Sequence, residues 1–402
     1  MKRSRDTRLL QAGRQVHGSG TRPVNPPLMR TSTVVFDSVA QWRATREKRL
    51  TQQVLSYGAR GTETTFALEN ALAELEGGAR CKLYPTGLAA AGCVLLACLR
   101  PGDHVLVTDA VYQPVRALCA ELLQPLGIEC EFYAADGSDI EGRLKPQTRL
   151  IYAEVPGSLF NEMADLRHLA ALARRNDALL VVDNTWASGW LFNPLAHGAD
   201  VSILAVTKYI AGHSDVMMGA AVCNEHSFPR VMQLSESLGQ TASPDDAALA
   251  LRGLRTLGVR LVQHARHALA VAQWLQRRPE VARVFHPALP EDAGHALWRR
   301  DFSGSNGLVA LELRERSPLR RDDFVDALQL FGIGASWGGY ESLVIPVEPR
   351  AARSVADWSD RGACLRLHIG LEDPADLMAD LAQAFERVFP SSTSNTGVHP
   401  HA

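Results

Sequence analysis

Between residues 58 and 255, short and almost wholly apolar runs alternate with longer stretches whose apolar residues recur at helical spacing. The runs HVLVTD (104–109), RLIYAEV (149–155), ALLVVDN (178–184) and VSILAV (201–206) read as strands. FALENALAELEGG (66–78), GLAAAGCVLLACLRPGD (87–103), ALCAELLQPLG (117–127) and DLRHLAALARRND (165–177) read as helices, several stopped by Gly or Pro. A strand without a polar face must be covered on both sides. The alternation therefore predicts a mostly parallel sheet between two helical layers, an α/β fold. Such sheets bind ligands beyond the carboxyl ends of their strands.

After about residue 256 the texture changes. A long helix over 259–279 leads to strands at 307–313 and 365–370 and to helices at 322–331 and 375–389. These predict a smaller C-terminal α/β domain, and 402 residues are too many for one small core. The division expected is an N-terminal arm over 1–57, a large domain over 58–255, a small domain over 256–390 and a disordered polar tail over 391–402. Pro23, Pro26 and Pro27 forbid one long helix in the arm.

A net charge of -2 gives no electrostatic case for nucleic acid or an anionic membrane. The longest apolar run, 88–99, is too short to span a bilayer, and the N-terminus lacks the apolar stretch of a secretory signal. The seven cysteines are scattered, with no zinc or redox spacing. They read as reduced core residues of a cytoplasmic protein, and no metal site is expected.

Several residues could carry chemistry. Asp183 ends a very apolar strand, where it is either a turn cap or the partner of a protonated ring nitrogen. Lys208 follows the 201–206 strand by two residues, in TKYIAGHSD. It is either solvated or a lysine desolvated for Schiff-base chemistry, with the Thr207 hydroxyl beside it for a phosphate. Gly87 and Leu88 open an apolar helix whose free N–H groups suit an anion. Tyr112, just past the 104–109 strand, is a core or rim residue or stacks on an aromatic ligand. Arg366 lies inside the apolar strand LRLHIG and needs an anionic partner, either a protein carboxylate or a substrate carboxylate. Ser336 and Trp337, in SWGGY, form a site wall or a plain turn.

The segments VVDNTWASG (181–189), VTKYIAGHSDVMMGA (206–220) and LRTLGVRL (254–261) resemble the Cys/Met-metabolism enzymes that depend on pyridoxal phosphate (PLP). The resemblance covers about residues 30 to 388. ASWGGYESL (335–343), LRLHIGLED (365–373), HPALP (286–290) and RDFSGSNGL (300–308) are most similar to the bacterial β-lyase branch. The γ-synthases and γ-lyases usually carry a smaller residue at the position of Trp337.

The resemblance implies the aspartate-aminotransferase-like fold (fold type I), with Lys208 bound to PLP through a Schiff base. It also implies that Asp183 pairs with the pyridine nitrogen, that Tyr112 stacks on the ring, and that Gly87, Leu88 and Thr207 hold the phosphate. Arg366 would bind the substrate carboxylate, helped by Ser336 and Trp337. Tyr57 would reach the phosphate or the active site of a neighbouring subunit, in a homo-oligomer built as a dimer of dimers. The implied reaction is β-elimination of L-cystathionine, or of related cysteine S-conjugates, to a thiol, pyruvate and ammonia. Other family reactions, or a weakly catalytic binding role, are the alternatives.

Three positions depart from the family pattern. Its Tyr-x-Arg becomes Tyr57-Gly58-Ala59-Arg60, a common Ser is Ala205, and its Glu-Ser/Thr-Pro becomes Glu154-Val155-Pro156. The first two touch the phosphate cup. If the chain is extended there, Arg60 falls on the opposite face from an arginine at position 59 and cannot replace it.

Overall fold

A computed structural model describes residues 4–14, 23–49 and 51–390. The tail expected over 391–402 lies outside the described residues, as do parts of the arm.

Seven strands form the first sheet: β1 (Arg80–Tyr84), β2 (His104–Thr108), β3 (Glu129–Tyr133), β4 (Thr148–Glu154), β5 (Leu179–Asp183), β6 (Val201–Ala205) and β7 (Gly219–Cys223). Their order is β1-β7-β6-β5-β4-β2-β3. All neighbours are parallel except β7, which runs antiparallel to both β1 and β6. Successive strand residues enter opposite cores, as a period of two demands. Leu106, Ile151, Val182 and Leu204 face one core. Val105, Val107, Leu150, Val181 and Ile203 face the other. This double burial is why the strands read as unbroken apolar runs.

The second sheet holds β8 (Val281–Phe285), β9 (Leu308–Leu313), β10 (Gly332–Ile333), β11 (Leu343–Val347) and β12 (Cys364–His368), in the order β10-β11-β12-β9-β8. It is antiparallel except for β10 beside β11. The helices Leu257–Leu275 and Pro374–Val388 pack on it and close its core.

Two local expectations are corrected. The helix expected over 117–127 is an α-helix over Gln113–Leu118 that loosens into a π-turn over Cys119–Leu123. The segment after Tyr57 is a 3-10 turn, Gly58–Arg60, with the Gly58 N–H bonded to Ser32 O at 2.8 Å. The alternating-face argument for Arg60 therefore does not apply.

Helix ends near the site are capped by side chains. Thr62 caps Glu63–Glu76, which ends at Gly77 with φ 72°. Thr86 caps Gly87–Cys98. Among the described residues no helix is long and apolar enough to cross a membrane. His104, Glu129 and Glu131 come together, but the Lys145 ammonium already lies 2.8 and 2.7 Å from the two glutamates.

Candidate active site

Because β2, β4, β5 and β6 are parallel, their carboxyl ends share one edge of the sheet. The chain direction reverses there, since β3 lies on one side of β2 and β4 on the other. Tyr112 follows β2, Glu154 ends β4, Asp183 ends β5 and Lys208 follows β6. Glu154 and Asp183 are level in register.

Lys208 is largely desolvated, and its amine is held down to about 8, chiefly by burial and then by Arg366, while Asp183 pulls the other way. Its Nζ donates to Ser336 Oγ at 2.7 Å and lies 5.2 Å from the centre of the Trp337 ring. Gly338, with φ 90°, seats this loop on the Lys208 backbone. A Cβ there would lie 2.8 Å from the Lys208 carbonyl carbon. SWGGY therefore packs against Lys208.

Asp183 is partly buried, and desolvation raises its carboxyl above the usual range. Thr185, whose N–H donates to Oδ1 at 3.0 Å, and the charge of Lys208 lower it again. Such a carboxylate calls for a cationic or donating partner. Tyr112 is half-exposed, with its phenol raised by burial and by Glu154 and Asp183. Its backbone N–H donates to Glu154 Oε2 at 2.7 Å.

Arg366, on β12, is 7% exposed. Its Nη2 donates to the carbonyls of Ala335 (3.0 Å) and Ser336 (2.9 Å), and Nε is buried without a partner. Burial pulls the guanidinium down to about 10. Among the described residues no carboxylate pairs with it, so the protein ion pair held open from sequence is not what the fold builds.

At the opposite end, the Thr86 hydroxyl takes the Ala89 N–H at 3.0 Å. The Gly87 and Leu88 N–H groups are then left without a partner among the described residues. A Cβ on Gly87 would lie 2.9 Å from Ala205 Cβ, so glycine lets the helix start sit on the end of β6. The Thr207 hydroxyl lies beside it and donates to Met218 O at 3.1 Å.

Tyr57 stands apart. It is half-exposed and joins none of the bonds or charge interactions that link Lys208, Asp183, Tyr112 and Arg366. Arg60 turns toward Glu236 of its own chain, at 3.7 Å.

Sequence reasoning passed over Glu154 as a contact, and also Glu76 and His368. Glu154 could have been found as the last residue of a strand level with Asp183. His368 is two residues past Arg366 and so shares its face of β12.

Free helix amides, a partly neutral lysine and a desolvated carboxylate fit the phosphate, aldehyde and ring nitrogen of pyridoxal phosphate respectively. Fold and site together define a PLP-dependent enzyme of fold type I. The chain belongs to the Cys/Met metabolism PLP-dependent enzyme family, which it matches over residues 6–386. It is 50% identical to the cystathionine beta-lyase of Bordetella avium over 372 residues, 92% of this chain and 93% of that one. It is 44% identical to cystathionine beta-lyase MetC of Escherichia coli K12, covering 95% and 98%. The crystal structure of metB from Corynebacterium glutamicum superposes with a TM-score of 0.87 at 28% identity, covering 96% of this chain and 98% of that one.

Proposed function

We propose that this protein cleaves L-cystathionine with water to homocysteine, pyruvate and ammonia. The observation that carries the reading is Lys208, desolvated, hydrogen-bonded to Ser336 and flanked by Asp183 and Arg366. The β-lyase relatives at 50% and 44% identity support the choice of substrate.

Pyridoxal phosphate, when bound, supplies the electron sink that makes the substrate Cα–H acidic. The chain's residues do the rest. The Gly87 and Leu88 amides, with the Thr207 hydroxyl once it turns from Met218 O, would hold its phosphate, and Tyr112 would cover its ring. Asp183 would pair with its ring nitrogen and keep it protonated. Arg366 orients the substrate α-carboxylate, using donors that no protein carboxylate occupies.

Lys208 Nζ removes the Cα proton and, with Ser336 as its hydrogen-bond partner, stays aimed at it. With an amine at about 8, roughly a quarter of Lys208 is neutral near pH 7.5, against roughly one in a thousand for an ordinary lysine. The Trp337 ring, 5.2 Å from Lys208 Nζ, packs on the Tyr209 ring with centroids 5.5 Å apart.

Tyr57 completes the site of a neighbouring subunit. Its exposure supports this, as does the helix Val39–Lys48, which buries none of its residues in its own chain. The functional unit is a homodimer, and two such dimers form a tetramer. The arm is 1–57, the cofactor domain 58–255 and the small domain 256–390. Seven free cysteines support a cytoplasmic location.

The test is to incubate the purified protein with L-cystathionine and identify the keto acid. Pyruvate is expected. 2-Oxobutanoate would mean γ-elimination and would overturn the reading.

A further inference from the structure

We infer that His368 is a positioning residue for this reaction, clamping the loop 336–341 so that Ser336 and Trp337 stay against Lys208. The inference rests on the functional reading above only for what the loop does, not for the clamp itself.

His368 is the last residue of β12 and is fully buried. Its Nδ1 lies 3.0 Å from Glu341 O, and a carbonyl can only accept, so Nδ1 carries the proton. Its Nε2 then has a free lone pair and accepts from the Gly338 N–H at 3.1 Å. One imidazole thus holds two peptide groups of one loop, three residues apart, through a single neutral tautomer. Protonation would turn Nε2 into a donor and break the Gly338 bond. Burial and the nearby His264, Arg366 and Lys208 hold the imidazole well below its usual range, so it stays neutral.

The loop needs such a clamp. It lies outside the regular strands, carries Gly338 at φ 90° and ends in glutamate, and its tip Tyr340 is exposed. Arg366 holds the other end, through the carbonyls of Ala335 and Ser336. Arg366 and His368 are two apart on β12 and point to the same face. One strand therefore fixes the loop at both ends and, through it, the Ser336 hydroxyl. The His368 ring also meets the Tyr209 ring at 5.9 Å and the His264 ring at 5.3 Å, and Tyr209 is the residue after Lys208. The imidazole thus touches both sides of the Lys208–Ser336 contact without touching either reacting group.

The test compares wild type with His368→Phe, which keeps the ring size and loses both bonds, and His368→Gln, whose amide oxygen reaches the Nε2 position. Amide hydrogen exchange of the holoenzyme is read without substrate, and KM and kcat for cystathionine are read separately. In His368→Phe, segment 335–341 should exchange about tenfold faster while β9 and β12 stay protected. KM should rise about tenfold, because the carbonyls that brace Arg366 loosen, and kcat should fall about tenfold, because Ser336 no longer holds Lys208 in line. His368→Gln should restore both to within about threefold. If His368→Phe does not fold, His368→Leu, which also offers no hydrogen-bonding group, takes its place with the same expectations. Unchanged exchange in the loop would overturn the clamp whatever the substrate is. Loosening of the whole second sheet, with glutamine no better, would reduce His368 to a packing residue. Loosening confined to the loop with KM and kcat unchanged would remove its role in the reaction.

Discussion

Glu76 offers a stability test that needs neither cofactor nor substrate. It ends the helix Glu63–Glu76, fully buried at the negative end of the helix dipole. Its oxygens accept from Asn184 Nδ2 (3.0 and 3.1 Å) and from Ser202 Oγ (3.0 Å). No cation pairs with it among the described residues. Burial raises the carboxyl from the ordinary 4.5 to about 8, the hydrogen bonds oppose this, and Asp183 adds to it. The folded chain therefore keeps a proton that the unfolded chain releases above about 4.5. With more protons bound to the folded state, stability falls as pH rises, by about 1.4 kcal/mol per pH unit. The loss begins near 4.5, is complete near 8 and totals about 5 kcal/mol.

Glu76→Gln keeps the shape and removes the titration. Its amide oxygen keeps the bond from Asn184, which still donates to Phe192 O, and its N–H can be accepted by the Ser202 hydroxyl. Urea unfolding, followed by tryptophan fluorescence and far-UV circular dichroism, should be compared at several pH values between about 5 and 9. The variant's advantage should grow by about 1.4 kcal/mol per pH unit up to about pH 8 and then level off. Parallel curves for the two proteins would show that Glu76 ionises normally in the fold and would refute the reasoning.

Lys208→Ala should abolish turnover and leave the unfolding midpoint close to wild type; elimination above about a few per cent of wild type would sink its assignment as the base. Arg366→Lys keeps a charge but loses the planar fork, so KM for cystathionine should rise by about one to two orders of magnitude with the cofactor absorbance unmoved. An unchanged KM would mean that Arg366 only braces the 335–336 carbonyls. Ala59→Arg should tighten PLP binding by roughly ten- to a hundredfold, the worth of a charge-assisted hydrogen bond of about 1.5–3 kcal/mol. Arg60→Ala should change it little, because Arg60 faces Glu236. Titration of apoenzyme with PLP checks both, and a large loss in Arg60→Ala would show that Arg60 reaches the cofactor of the neighbouring subunit.

The strands β2, β4, β5 and β6 were legible because each is buried on both faces, which leaves an unbroken apolar run in the sequence. Asp183 and Lys208 were legible for the same reason, as polar residues set where such runs stop. β1 and β7 were not. Arg80–Tyr84 carries two charged residues and Gly219–Cys223 is built from small ones, and only their pairing, Arg80 with Cys223, makes strands of them. Arg366 marks the difference most clearly. An arginine in an apolar strand announces that it needs an anion, and local sequence cannot say whether the protein supplies one. Among the described residues the fold sets two carbonyls and no carboxylate against it. The same holds for His368 and Glu76, ordinary residues in their own segments. Their roles arise from Gly338 and Glu341, and from Asn184 and Ser202, brought to them by packing. Periodicity is a property of neighbours along the chain and so could be read from it. The tautomer of a buried imidazole and the proton on a buried carboxyl depend on groups 27 to 126 residues away, and only the tertiary structure decides them.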